Sequence, residues 1–383
     1  MPAPRRLVAC AALAAGLAGC TAQGSTTPKI SGNVLKVYVS APPGTPSDLL
    51  AAEQMAFASA SHQVGRFALR LVLLHGRASD NARAAIQDTS AIAYIGEPEP
   101  GLSTDTIGIT NALDVLQVSP ADTALELTRA TPAVGGAPGI YYESKSNYGR
   151  TFARLVPTSG AEAQAQVSEM RSLGVKKVYV THDSSSYGRA LAYALVHAVR
   201  APLSAVAGPP VGSRVSASGA DAVFFAGSSV RAASALFDGA GKLKRFAPSA
   251  LYSDGLAAGL SAAARSGLYV SSPGFLSRDL PAAGRSQFEK PFVARYHHQP
   301  LPDAIFGYAA VSAVMAVLRQ AGSAADQRAT VVRDFMRFRS GSSVLGSYSI
   351  DNFGNPTIAP FVFARAQGST LTPFRAVQVP GGS

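Results

Sequence analysis

Residues Val175–Arg200 read VKKVYVTHDSSSYGRALAYALVHAVR. Val178, Tyr179 and Val180 form a β-prone run behind two lysines, and His182–Ser186 is polar. From Gly188 onward Leu191, Leu195, Val196 and Val199 recur at helical spacing. The stretch therefore predicts strand, loop and helix in that order. In an open parallel α/β sheet, ligands lie outside the carboxyl ends of the strands, which puts Asp183–Tyr187 at a binding crevice. A plain βα unit whose serines only cap the helix fits the same local pattern.

The same unit recurs on both sides. Strands are expected at Leu35–Val39, Phe67–Leu74, Ala91–Ile95, Val115–Val118, Ala222–Phe225, Ala250–Tyr252 and Leu268–Val270. Helices are expected at Leu49–Ser59, with Ser47 or Asp48 as cap, and at Ala161–Ser172 and Val230–Ala240. Toward the end the texture becomes helical over Ser286–Tyr296, Ala304–Gln320 and Ala329–Phe338. Gly346–Ile350 and Ala359–Ala364 then read as a closing antiparallel hairpin. Alternating strands and helices imply doubly wound, parallel α/β sheets. With 383 residues there is room for two domains, and 47% hydrophobic against 15% charged residues excludes a disordered chain.

The N-terminus, MPAPRRLVACAALAAGLAGC, has a basic start at Arg5 and Arg6 and an apolar run from Leu7 to Leu17, too short to span a bilayer; it reads as a signal peptide over 1–19. Its Leu17-Ala18-Gly19-Cys20 end matches the lipobox of bacterial lipoproteins, which implies a diacylated Cys20 as first mature residue and an extracytoplasmic, membrane-anchored protein. The alternative is a plain secretory signal. Cys10 and Cys20 are the two cysteines, so the exported part is expected to carry no disulfide. Residues 20–34, rich in Ser, Thr and Gly, read as a flexible tether. The formal charge of +11 falls to +9 once Arg5 and Arg6 leave with the signal, which suits an anionic cell surface. The basic residues are scattered and form no run interleaved with aromatics, so nucleic acid is not an expected partner.

Several pieces now combine: Ile95-Gly96, Ser119-Pro120-Ala121-Asp122-Thr123, the Val178–Gly188 block ending D-x-x-x-Y-G, Ala220–Phe225, and Tyr252-Ser253-Asp254-Gly255. In their order and spacing the chain, from Leu35 to Val379, resembles the periplasmic-binding-protein type I fold. It is similar in particular to the extracytoplasmic Leu/Ile/Val-binding proteins of branched-chain amino acid ABC transporters. The resemblance implies two doubly wound lobes joined by a three-stranded hinge, closing on a ligand like a flytrap. Lobe one would comprise 35–155 and 276–340, and lobe two 156–275 and 341–383. It implies capture of a small polar ligand, an amino acid or a related amine or amide, for an ABC permease, without cofactor or metal.

Residue by residue, the resemblance assigns the ligand's α-groups to Ala121 and Thr123, its cover to Tyr187 and its ammonium to Asp254. Thr123 as a helix cap, Tyr187 as a packed helix-start residue and Asp254 as a turn residue are the corresponding structural alternatives. Where the family carries a serine-rich run after Gly96, this chain has Glu97-Pro98-Glu99-Pro100-Gly101, which places two extra acids near the mouth. Ser103 and Thr104 follow slightly later as displaced hydroxyls. The loop Ala41–Asp48 lacks an aromatic, Ser228 and Ser229 stand where aromatics are usual, and Ser159 stands where an aspartate is usual. These departures make the expected pocket wider or more polar. Ser103 and Ser228 complete the candidate ligand contacts. No G-x-S-x-G elbow, P-loop or ordered G-x-G-x-x-G follows a strand, and His297-His298 reads as a surface pair, so no enzyme is expected. The rival reading is a lipoprotein of the same fold that serves as sensor, scaffold or envelope partner without transporting amino acids.

Overall fold

The structure, a computed structural model, describes residues 29–144 and 149–381; the signal peptide and Cys20 lie outside the described residues. One sheet contains β1 (Val34–Ser40), β2 (Gln63–Val64), β3 (Phe67–Leu74), β4 (Ala91–Ile95), β5 (Leu116–Ser119) and β6 (Phe152–Arg154). Their order is β2-β3-β1-β4-β5-β6, all parallel except the short β2. β4 is apolar at every position because a central parallel strand is covered on both faces, and all five of its residues are buried.

The chain then crosses to a second sheet built from β7 (Lys177–His182), β8 (Ser204–Ala207), β9 (Ala222–Ala226), β10 (Lys244–Ala247) and β11 (Leu268–Pro273). It returns to form the hairpin of β12 (Arg339–Ser343) and β13 (Gly346–Ser349). Finally β14 (Ile358–Gln367) and β15 (Thr370–Pro380) join the second sheet, whose order is β15-β14-β11-β10-β9-β7-β8. The five strands β7 to β11 run parallel, and the last two are antiparallel. The Ala304–Ala321 helix, the most apolar of the chain, is buried in the core of the first sheet against the Ser47–Ser59 helix.

The structure corrects four local expectations. Ala250–Tyr252 is not a strand: Ser249–Leu251 is a single 3-10 turn, and the strand is Lys244–Ala247 just before Pro248. Its charged residues disguise it, but the Arg245 guanidinium turns back to the carbonyls of Phe237, Leu243 and Gly241 and is satisfied there. Gly346–Ile350 and Ala359–Ala364 do not pair as one hairpin, because β13 pairs with β12 while β14 lies between β11 and β15. The expected tether is docked from Lys29 onward, with Ile30 buried and its N–H on the Asp326 carbonyl (2.9 Å). Neither Ser47 nor Asp48 caps its helix. The Asp48 carboxylate instead accepts from the Leu301 N–H (2.9 Å) and contacts His298 Nε2 (3.0 Å).

Three segments connect the two sheets: 155–158 after β6, 274–276 after β11, and 351–357 before β14. The first and third are tied together at Arg154, whose side chain is fully buried. Its Nη1 donates to the Asp122 carbonyl (2.7 Å) and its Nη2 to Thr128 Oγ1 (3.2 Å), and Thr128 in turn donates to Asn355 Oδ1 (3.0 Å). The backbone N–H of Arg154 donates to the Gly354 carbonyl (2.9 Å). Gly354 has φ +88°, and a Cβ there would lie 2.5 Å from the Phe152 carbonyl oxygen. Gly354→Ala should therefore destabilise the protein by about 1–3 kcal/mol in urea unfolding. An unchanged unfolding midpoint would mean that this crossing is not held against β6.

Candidate functional site

A cleft of about 670 Å³ opens at the carboxyl ends of strands from both sheets. From the first sheet come Gly44 and Pro46 after β1, Pro98–Leu102 and Thr104 after β4, and Ala121 after β5. From the second come Ser185, Ser186 and Tyr187 after β7, Ser228 after β9, and Ser249, Ala250 and Ser253 after β10. Val156 and Pro273 belong to the crossings, and Asp303 enters from the start of the Ala304–Ala321 helix.

Acidic side chains inside the loops hold this rim in shape. Asp122 accepts from the N–H groups of Gly101 (2.7 Å), Ser103 (2.8 Å) and Ala124 (3.0 Å), which joins the loop after β4 to the loop after β5. Asp183 accepts from the Ser185 hydroxyl, the Ser185 N–H (3.1 Å) and the Ser228 N–H (3.0 Å), joining the loops after β7 and β9. Gly188 is required beside it, since a Cβ there would lie 2.3 Å from Asp183 Oδ1. Glu162 accepts from the Ser249 N–H (2.6 Å), the Ser249 hydroxyl (3.0 Å) and the Ser271 hydroxyl (2.7 Å). Ser185 caps the Ser186–Ala198 helix by accepting from the Gly188 N–H (2.9 Å).

Of the candidate residues, Ala121, Tyr187 and Ser228 line the cleft, and Thr123, Ser103 and Asp254 do not. Tyr187 is 3% exposed, and its hydroxyl is buried facing the Thr123 and Ser249 side chains. Thr123 is buried behind it with its own Oγ1 unpaired, and its carbonyl accepts from the Ser159 N–H (2.6 Å) at the first crossing. Thr123 caps no helix there: Asp122 accepts from the Ala124 N–H, and Ser159 Oγ accepts from the Leu125 N–H (3.1 Å). Ser103 is wholly buried and works inside the loop, with its hydroxyl accepting from the Glu97 N–H (3.3 Å).

Asp254 is exposed in the helix that follows Ser253, and its carboxylate accepts from the Leu371 N–H (2.8 Å) at the start of β15. That placement removes it from the ammonium role. Glu97 is likewise not at the mouth: it is fully buried, accepting from the Ser40 hydroxyl (2.8 Å) and the Tyr94 hydroxyl (2.6 Å).

The charged side chains that do line the cleft are Glu99 and Asp303; no Lys, Arg or His is among the described lining residues. Asp303 Oδ1 is buried and unpaired, and burial, with the Asp48 charge adding to it, pushes the carboxyl up to about 6. Tyr252 of the second lobe lies near enough to feel the Asp303 charge. Burial and the charge of Asp122 also raise Glu99. Behind the wall, Glu126 is pushed up to about 7 by burial, and neither carboxylate oxygen has a hydrogen-bond partner. The sequence conceals Asp303, because a Pro-Leu-Pro-Asp run before an apolar helix reads as an N-cap. In the structure its side chain makes no capping bond.

A profile of the periplasmic binding protein family matches residues 76–383. The chain belongs to the periplasmic binding protein family. No curated protein matches the chain. Among solved structures, this periplasmic binding protein is similar to a leucine-binding protein from Thermotoga maritima, with TM-score 0.74 and 17% identity over 90% of this chain and 98% of the other. A solute-binding protein of an ABC transporter from R. palustris, solved with benzoate, aligns with TM-score 0.69 and 18% identity over 92% and 98%. The isoleucine complex of a branched-chain amino acid binding protein from Streptococcus pneumoniae aligns with TM-score 0.68 and 14% identity over 91% and 100%. Identities this low establish the shared two-lobe fold. Membership of the family implies solute binding in an extracytoplasmic location.

The buried acids make stability depend on pH. Glu97 and Glu126, both pushed up to about 7, and Asp303, near 6, hold their protons more tightly folded than unfolded. Their ionisation therefore costs stability as pH rises from about 4 to 7, on the order of 2 kcal/mol for each fully buried group. His298, raised by Asp48, acts in the same direction, since its contribution is lost as pH rises through its folded pKa. Asp88, depressed by Lys36, Ser90 and Tyr38 against the cost of burial, is ionised throughout this window and does not oppose the trend. The unliganded protein should melt at a higher temperature at pH 5 than at pH 7.5 at fixed ionic strength; a higher melting temperature at pH 7.5 would contradict the assignment.

Proposed function

We propose that this periplasmic binding protein captures a small polar, amine-bearing solute between its lobes and delivers it to an ABC permease, acting as a binder and not as an enzyme. One observation carries the reading: the cleft is assembled from strand ends of both sheets, and its lining includes a buried carboxylate oxygen without a partner, Asp303 Oδ1. A buried polar atom left unpaired costs about 1–3 kcal/mol, so a ligand ammonium that donates to Asp303 recovers that cost on binding. The leucine, isoleucine and benzoate ligands named for the similar structures support a small solute. In this reading the lobes divide at the three crossings and close by hinge bending about Arg154. Ala121 and Ser228 contact the solute from opposite lobes, Tyr187 covers it, and Thr123 supports Tyr187 from behind.

Closure has a direct readout. Small-angle scattering should report a smaller radius of gyration once a bound amine saturates the protein, with a melting temperature that climbs with ligand concentration. A scattering profile that stays fixed at saturation would indicate a preformed site, and no binding of any solute would favour the sensor or scaffold role.

We propose further that Cys20 carries the lipid anchor at the outer face of the cell membrane. Cys20→Ser removes the thiol that diacylation needs, so the protein should appear in the soluble fraction or persist as an uncleaved precursor. Cleaved Cys20→Ser protein that still sediments with membranes would refute the anchor.

A further inference from the structure

Building on the solute-binding reading, we infer that the cleft selects an organic cation that has no carboxylate, such as a primary amine or diamine, over an α-amino acid. An α-amino acid brings a carboxylate that must be met by N–H donors or a cation once water is removed. The described lining residues include no Lys, Arg or His, and both charged side chains that line the cleft, Glu99 and Asp303, are acids.

Four backbone donors on the rim loops are already used. The Ala121 N–H donates to Ser119 Oγ (3.2 Å), the Gly101 N–H to Asp122, the Ser228 N–H to Asp183 and the Ser249 N–H to Glu162. The features that favour an anion are the N-termini of the Ser186–Ala198 and Val230–Asp238 helices, each worth about half a positive charge, and Arg189 behind Ser186. The Asp183 carboxylate stands against both helix ends, accepting from Ser185 and from the Ser228 N–H, and Arg189 donates to the Ala133 and Ser184 carbonyls and to Ser186 Oγ. What the cleft has in surplus is carboxylate: Asp303 Oδ1 is buried without a partner, and neither Glu99 nor Asp303 has an ion-pair partner among the described residues. Behind Tyr141, one of the lining side chains, the charges of Glu126 and Arg189 oppose each other. All of this sits in a chain of formal charge +11, so the acidity is local to the cleft.

The test is calorimetry on the purified protein with matched probes: each α-amino acid, its amide, the amine left by removing its carboxylate, the acid left by removing its ammonium, and 1,4-diaminobutane. The amine or diamine should bind at least tenfold more tightly than the matching amino acid, and the matching acid should not bind. Asp303→Asn should weaken the amine at least tenfold, and Glu99→Gln should weaken it less, since Glu99 is the more exposed. Asp303→Asn should meanwhile melt no lower than wild type without ligand, because the buried, unpaired charge is gone; that separates lost recognition from lost folding. An amino acid that binds as tightly as its amine overturns the cation preference and leaves solute capture standing. A panel in which nothing binds overturns both.

Discussion

A guanidinium cannot shed its charge at physiological pH, so a fully buried one must be surrounded by acceptors. Arg154 meets part of that demand with the Asp122 carbonyl and Thr128 Oγ1, its Nε stays without a partner, and the Asp122 charge offsets part of the cost of its burial. Because Asp122 also gathers the N–H groups of Gly101, Ser103 and Ala124, the residue that fixes the hinge fixes one rim of the cleft as well. Thr128 passes the connection to Asn355 at the third crossing. The first and third crossings and this rim are thus one hydrogen-bonded body.

That economy has a consequence for recognition. The carboxylates of Asp122, Asp183 and Glu162 shape the rim by consuming backbone donors, and they leave behind a surface whose unused capacity is to accept. Asp303 holds the clearest consequence of this arrangement, a buried carboxylate oxygen without a partner. Such groups reduce the stability of the empty protein and favour the occupied one, a trade that binding sites commonly make.

Much of the fold is legible in the sequence because parallel strands covered on both faces leave continuous apolar runs, as at Ala91–Ile95 and Ala222–Ala226, bounded by helical periodicity. Val175–Arg200 illustrates it well: the strand covers Lys177–His182, the helix Ser186–Ala198, and Ser185 caps it while Tyr187 faces the cleft. β10 escaped because Lys244 and Arg245 break the apolar pattern, and the guanidinium's partners are set by tertiary packing alone. Placing that strand too late put Asp254 at a strand end, when in fact it starts a helix and holds the β15 backbone. Asp303 was invisible for the opposite reason: its loop reads as a helix start, and only the packing of the Ala304–Ala321 helix on the first core brings it to the cleft.

A cation held through Asp303 in the cleft between the lobes is what we propose. Native mass spectrometry of the protein purified from its own cells without denaturation addresses it without choosing a ligand in advance. One small molecule per chain that carries an amine and no carboxylate should be present on the wild-type protein and absent from Asp303→Asn. A bound species that bears a carboxylate, or one retained undiminished by Asp303→Asn, would contradict it.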